Sequence, residues 1–143
     1  MNLKSILATF SLLLFVSVYA MAQSPVGVWK TIDDNTGEAR SHIEIFEKDG
    51  KLHGKLVKLL TAGDDAICEN CTGAKKNKPL MNMVILSNLE KYKDYWSYGT
   101  IMDPDSGKEY KANVTLNGDD KLDVRGYIGF AALGRTQTWH RVK

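Results

Sequence analysis

The sequence predicts an all-β protein: a single antiparallel up-and-down barrel of about eight strands. Three observations predict it. Short runs alternate apolar and polar residues, turn-forming pairs separate those runs at short and even spacing, and no stretch of the mature chain reads as a long helix.

The elements follow in chain order. Met1 to Lys4 carries one positive charge, Ile6 to Tyr19 is uncharged and largely apolar, and Ala20-Met21-Ala22 places small residues at the −3 and −1 positions of a cleavage site. This is the pattern of a secretory signal cut after Ala22, with residues 23–143 as the exported domain. The apolar run is short for a membrane-spanning helix, which needs ~20 residues. No cysteine sits at the cut, so no lipid anchor is expected, and signal cleavage leaves no membrane anchor on the mature protein.

Within 23–143 the strands are expected at 26–32, 39–47, 52–60, 83–88, 95–102, 109–116, 121–128 and 134–142. The alternation is cleanest late in the chain. Ala112, Val114 and Leu116 oppose Lys111, Asn113 and Thr115, while Leu122, Val124, Gly126 and Ile128 oppose Lys121, Asp123, Arg125 and Tyr127. A period of two puts one face in a core. Asn35-Thr36-Gly37, Asp49-Gly50, Asp103-Pro104-Asp105-Ser106-Gly107 and Asn117-Gly118 supply the turns, because Gly and Asn accept positive φ and Pro presets a turn's first corner. Mostly tight hairpins favour a meander, and closing it removes exposed sheet edges. Ser87 to Asp94 admits a short helical turn. No internal repeat stands out. One connection is long: 61–81 has little periodicity and carries both cysteines and the basic run Lys75-Lys76-Asn77-Lys78.

Charge excludes some functions. Of 19 basic and 17 acidic side chains, the signal removes only Lys4, leaving +1; that balance predicts no nucleic-acid binding. Cys68-Glu69-Asn70-Cys71 reads as a disulfide, a redox pair or half a zinc site. Export favours the disulfide, no βαβ unit surrounds it, and no second C-x-x-C exists. His42, His53 and His140 show no ligand spacing, so no metal is expected. Asp103, Asp105 and Gly107 echo a calcium loop, but Pro104 intervenes and the twelfth-position Glu is missing; turn formation explains them, and Asp33-Asp34 likewise. No nucleophile elbow, P-loop or dinucleotide fingerprint occurs, so no catalytic residue and no cofactor are assigned. The aromatics are more informative. Trp96 and Tyr98 share a strand face with Thr100 and Met102, and Trp29, Tyr127 and Trp139 lie on other strands. Such side chains either fill a small barrel or line a pocket for one small ligand; Trp29, Trp96, Tyr98 and Met102 are the expected lining.

Gly27-Val28-Trp29 resembles the G-x-W of the first strand of lipocalins and fatty-acid-binding barrels, and Arg141 resembles their late Arg that packs over that Trp. A closer resemblance covers nearly all of the mature chain. Gly27-Val28-Trp29, Asp49-Gly50-Lys51, Cys68-Glu69-Asn70-Cys71 with Gly73, Asp103-Pro104 with Gly107-Lys108 and Tyr110, Leu122-Asp123-Val124-Arg125-Gly126, and Gly134-Arg135-Thr136-Gln137-Thr138-Trp139 with Arg141 resemble the bacterial exported family called domain of unknown function 2147. The resemblance implies a lipocalin-like barrel outside the cytoplasm, the periplasm first, and supplies no activity. The leading expectation is a non-enzymatic binder of a small apolar or amphipathic ligand. The rival is a filled barrel whose 61–81 loop binds an envelope protein through Lys75, Lys76 and Lys78. An enzyme is the weakest reading, because no site chemistry is visible.

Overall fold

The computed structural model describes residues 23–143; the expected signal segment, 1–22, lies outside the described residues. Eight strands follow one another around a closed barrel: β1 (Gly27–Ile32), β2 (Ala39–Lys48), β3 (Lys51–Leu59), β4 (Val84–Tyr92), β5 (Tyr95–Met102), β6 (Glu109–Asn117), β7 (Lys121–Tyr127) and β8 (Arg135–Arg141). Every neighbouring pair is antiparallel, and β8 closes the ring on β1 through Trp29 opposite Arg141 and Lys30 opposite His140.

Alternation decides which side chains go inside. Ile43 and Ile45 on β2, Leu52 and Leu56 on β3, Ala112 and Val114 on β6, Leu122 and Val124 on β7, and Trp139 on β8 are all buried. Their sequence neighbours carry the charge and face water, so one strand face supplies the core.

Two stretches depart from simple alternation. The segment 87–94, which by sequence admits a helical turn, is strand up to Tyr92, with Lys93 and Asp94 in the β4–β5 turn: β4 pairs with β5 on one side and β3 on the other. Leu86 and Leu89 are fully buried there, three residues apart, because the strand kinks between them at Asn88, with φ 59°. Facing this kink, β5 bulges between Trp96 and Gly99, and Tyr98 takes φ 63°. Paired kinks let the sheet turn a corner, as bulges do in small barrels.

A repetition that the sequence reading missed emerges from the loops. Asp33–Glu38 and Asp103–Lys108 are the same turn built twice. In each, the first Asp accepts the backbone N–H of the residue two further on, and a Gly N–H returns to that Asp's carbonyl oxygen.

The two barrel ends differ. At one end lie the tight β2–β3, β4–β5 and β6–β7 turns and a plug. Trp29 is wholly buried, its indole Nε1–H donates to the Pro25 carbonyl at 2.8 Å, and the Arg141 guanidinium stacks 4.2 Å from its ring centroid. Arg141 also donates to the carbonyls of Ser24, Val26 and Asp119, stapling the chain's approach to β1 beneath the barrel. At the other end lie the four remaining loops.

Candidate functional site: a cavity beneath the open end

A cavity of about 480 Å³ lies under these four loops, within the 300–1,000 Å³ range of small-molecule sites. Ile43, Leu56, Leu59, Ile101, Val124 and Trp139 supply apolar wall. Polar groups are interspersed with this wall, Ser41 opposite Leu59 and Gln137 opposite Val124, and the buried ones are satisfied. The Thr31 and Ser41 hydroxyls lie 2.8 Å apart and share a hydrogen bond. Trp139 Nε1–H donates to Gln137 Oε1 at 3.3 Å, and Gln137 Nε2 donates to Asp34 at 3.2 Å. Among the described residues, no buried side-chain nitrogen or oxygen lacks a partner. The cavity therefore mixes apolar wall with satisfied polar groups, a lining that suits an amphipathic molecule.

Charge is confined to the rim. Arg40 grips Asp105 with two hydrogen bonds, at 2.6 and 3.1 Å, and lies 3.7 Å from Asp33. This ties the two repeated loops together through one guanidinium, whose affinity for its proton the Asp105 hydrogen bond raises further. The backbone N–H groups of Asn35 and Thr36 hold the Asp33 carboxyl below its ordinary range. Arg135 pairs with Asp34 beside the β8–β1 seam at the rim.

Cys68 and Cys71 form a disulfide, and both are buried. The 61–81 loop folds back on itself around it. Cys68 N–H donates to the Lys78 carbonyl, Asn77 N–H to the Cys68 carbonyl, and Ile67 bridges Pro79. The Cys71 sulfur lies 3.7 Å from the Met102 sulfur, and Asn70 donates to the Asp105 carbonyl at 2.7 Å, so the loop is a strut against the β5–β6 turn. Gly107 has to be glycine there, because a Cβ would stand 1.9 Å from the Asn70 carbonyl oxygen. This close approach, together with the turn, accounts for the pattern that echoed a calcium loop. Both sulfurs are buried, which shields them from an attacking thiol. Breaking the bond, by Cys68→Ser with Cys71→Ser or by reductant, should cost roughly 2 kcal/mol in the chain-entropy view. Urea unfolding with and without reductant measures it; superimposable curves would show that the strut holds without the bond.

Of the four expected lining residues, Met102 borders the cavity. Trp29 plugs the opposite end. Trp96 lies half-buried against the core with the Lys91 ammonium 3.8 Å above its ring. Tyr98 points outward, 68% exposed, with Tyr92 set edge-on against it. The bulge is the reason: it breaks the shared face of 96, 98, 100 and 102, and Ile101, opposite Tyr110, becomes the lining position. Trp139, Gln137, Tyr110 and Arg40 were not assigned to the site from sequence. The doubled Asp-x-[Asn/Asp]-[Ser/Thr]-Gly turn was the available signal for this rim. The histidines stay apart from the cavity: His42 and His140 flank Lys30 in one cross-strand row, and His53 stacks on Phe46.

A closed eight-stranded meander, plugged by a Trp–Arg pair at one end and hollow beneath the other, is a lipocalin-like barrel. HP1028 from the human pathogen Helicobacter pylori, described as belonging to the lipocalin family, is similar to it in fold, with a TM-score of 0.75 over 85% of this chain and 84% of that one, at 22% identity. The chain belongs to the family described as "Uncharacterized protein conserved in bacteria (DUF2147)", whose model matches residues 27–141. No curated protein matches it.

Proposed function

We propose that this protein is a non-enzymatic carrier that holds one small apolar or amphipathic molecule in the open half of its barrel. The observation that carries the reading is the cavity itself: an apolar wall, interspersed buried polar groups that are already satisfied, and charge at the rim only. The apolar portion of a ligand would lie against Leu56, Val124 and Trp139, and its polar end would meet the Arg40 and Arg135 pairs. The buried disulfide and the signal-like segment support a place of action outside the cytoplasm, the periplasm first.

A filling substitution tests the reading. Gly126 lines the cavity, and a Cβ there would meet Ile101 and Tyr110 only at ordinary contact distances, 3.5 and 3.6 Å. Gly126→Leu should therefore fold and occupy the space. Binding of a fluorescent fatty-acid analogue should fall at least about tenfold, one or two lost methylene contacts already being worth that much. Native mass spectrometry of the purified protein should show a co-purified molecule that organic extraction removes. Equal binding by the wild type and Gly126→Leu would rule the cavity out.

A further inference from the structure

We propose that the β7–β8 loop is a membrane-docking tip, through which the open end of the barrel rests on an uncharged lipid surface and exchanges its ligand directly with the bilayer. Residues 126–134, Gly-Tyr-Ile-Gly-Phe-Ala-Ala-Leu-Gly, contain no charged side chain. Ile128, Phe130 and Leu133 are 70, 77 and 78% exposed, more than any other large hydrophobic side chain among the described residues. Single exposed apolar side chains are ordinary, but three on one short loop form a patch that calls for an apolar neighbour.

The loop is built to stay extended from the barrel. Arg125 donates from Nε to the Ala131 carbonyl at 2.6 Å and from Nη2 to the Ala132 carbonyl at 3.2 Å, while its Nη1 holds Thr136 at 2.8 Å. A short 3₁₀ turn, Ala131–Leu133, satisfies further backbone groups through Leu133 N–H to Phe130 O and Gly134 N–H to Ala131 O. At the base the chain is pinched: a Cβ on Gly134 would stand 2.6 Å from the Gly126 carbonyl oxygen. With its carbonyls pinned inward by a guanidinium, the loop presents its apolar side chains to the outside.

Its position selects the occupant. The loop springs from the cavity's own lining, since Gly126 on one flank and Arg135 on the other both border the cavity. An apolar medium entered by this tip is therefore continuous with the mouth. Three side chains are also far fewer than the ~800 Å² per partner of a stable protein–protein interface requires, whereas a bilayer accepts a small apolar tip and places a Tyr such as Tyr127 at headgroup level. The rim charges argue for a neutral surface. Arg40 and Arg135 are spent on Asp105 and Asp34, Asp33 and Asp103 add negative charge at the same end, and the 61–81 loop sets Lys75, Lys76 and Lys78 against Asp64, Asp65 and Glu69, so an anionic surface gains nothing from these groups. Docking is read from the loop alone; direct exchange rests on the cavity reading as well.

Flotation of the purified protein with phosphatidylcholine vesicles tests docking. The wild type should float, and raising NaCl from about 50 mM to about 500 mM should leave the bound fraction within about twofold, since screening acts on charge and not on apolar burial. Phe130→Ser with Leu133→Ser should lower partitioning at least about tenfold, and Ile128→Ser alone should lower it less. Both variants should keep the wild-type melting temperature, because the side chains removed make no core contact. A fatty-acid analogue offered in solution should bind all three proteins equally, but its transfer out of vesicles should slow at least about tenfold in the double variant. A wild type that stays unbound, a double variant that floats like the wild type, or floating on anionic vesicles alone would overturn docking. Unchanged transfer by a double variant that no longer floats would overturn direct exchange. A wild type that floats yet binds no analogue in solution would overturn the cavity reading and leave docking standing.

Discussion

Trp29→Ala should lower the unfolding free energy by about 3–5 kcal/mol, the usual cost of emptying a fully buried aromatic site. For a domain of this size that is on the order of 10–20 °C in Tm. Three things are lost together: the buried indole, the hydrogen bond that satisfies the Pro25 carbonyl, and the platform beneath Arg141. The Arg141 guanidinium also holds Ser24, Val26 and Asp119, so the closed end should loosen as a unit. Trp29→Phe separates the contributions. It keeps most of the apolar area and forfeits the hydrogen bond, for about 1 kcal/mol. Thermal melts of the three proteins check the order, and a Phe variant as damaged as the Ala variant would show that the indole N–H, not its bulk, anchors this end. Ligand binding, which happens at the far end, should survive in any Trp29→Phe protein that folds.

Gly99→Ala should be nearly as damaging, at about 3 kcal/mol, the upper part of the range for overpacking. A methyl group at this position would stand 2.3 Å from the Ser87 carbonyl oxygen and 2.8 Å from the Leu89 nitrogen. Both obstacles are β4 backbone, which gives way only if β4 and β5 separate. Gly118→Ala is the control. Its φ of 72° also disfavours a side chain, but nothing lies within 4 Å of the added Cβ, so its cost should be only ~1 kcal/mol. Urea unfolding of the two variants, with hydrogen exchange of the β4 and β5 amides, measures the difference. Equal costs would mean that the close approach at the corner carries no weight.

The corner also explains why the cavity was only partly legible in the sequence. Strand positions were readable because hydrophobic alternation is a local property: Ala112-Val114 and Leu122-Val124 announce their buried face without reference to anything else. The Cys68–Cys71 strut was readable for a similar reason, since three residues of separation bring two sulfurs within reach. The lining of β5 was not readable. A single bulge at Tyr98 shifts the strand's pairing, so that Ile101 joins Met102 at the cavity, and its signature is a conformation, φ 63° on a tyrosine, that no residue type announces. Tyr98 therefore faces water and Ile101 the cavity. The helical turn that the sequence admits near 87–94 is absent at the same corner, where β4 is held as strand by partners on both sides.

By itself the sequence determined the strand count and the meander, because these follow from period-two patterning and turn chemistry, while the Trp29–Arg141 closure was implied by the resemblance to lipocalins. Tertiary structure alone decided which half of the barrel is filled and which is hollow. That outcome depends on how side chains from all eight strands share one interior, with Trp29 and Leu122 packed toward one end and small or polar residues such as Gly126, Thr31 and Ser41 bordering the other. Volume left over in a closed ring is a property of the whole ring, and no local window of residues contains it.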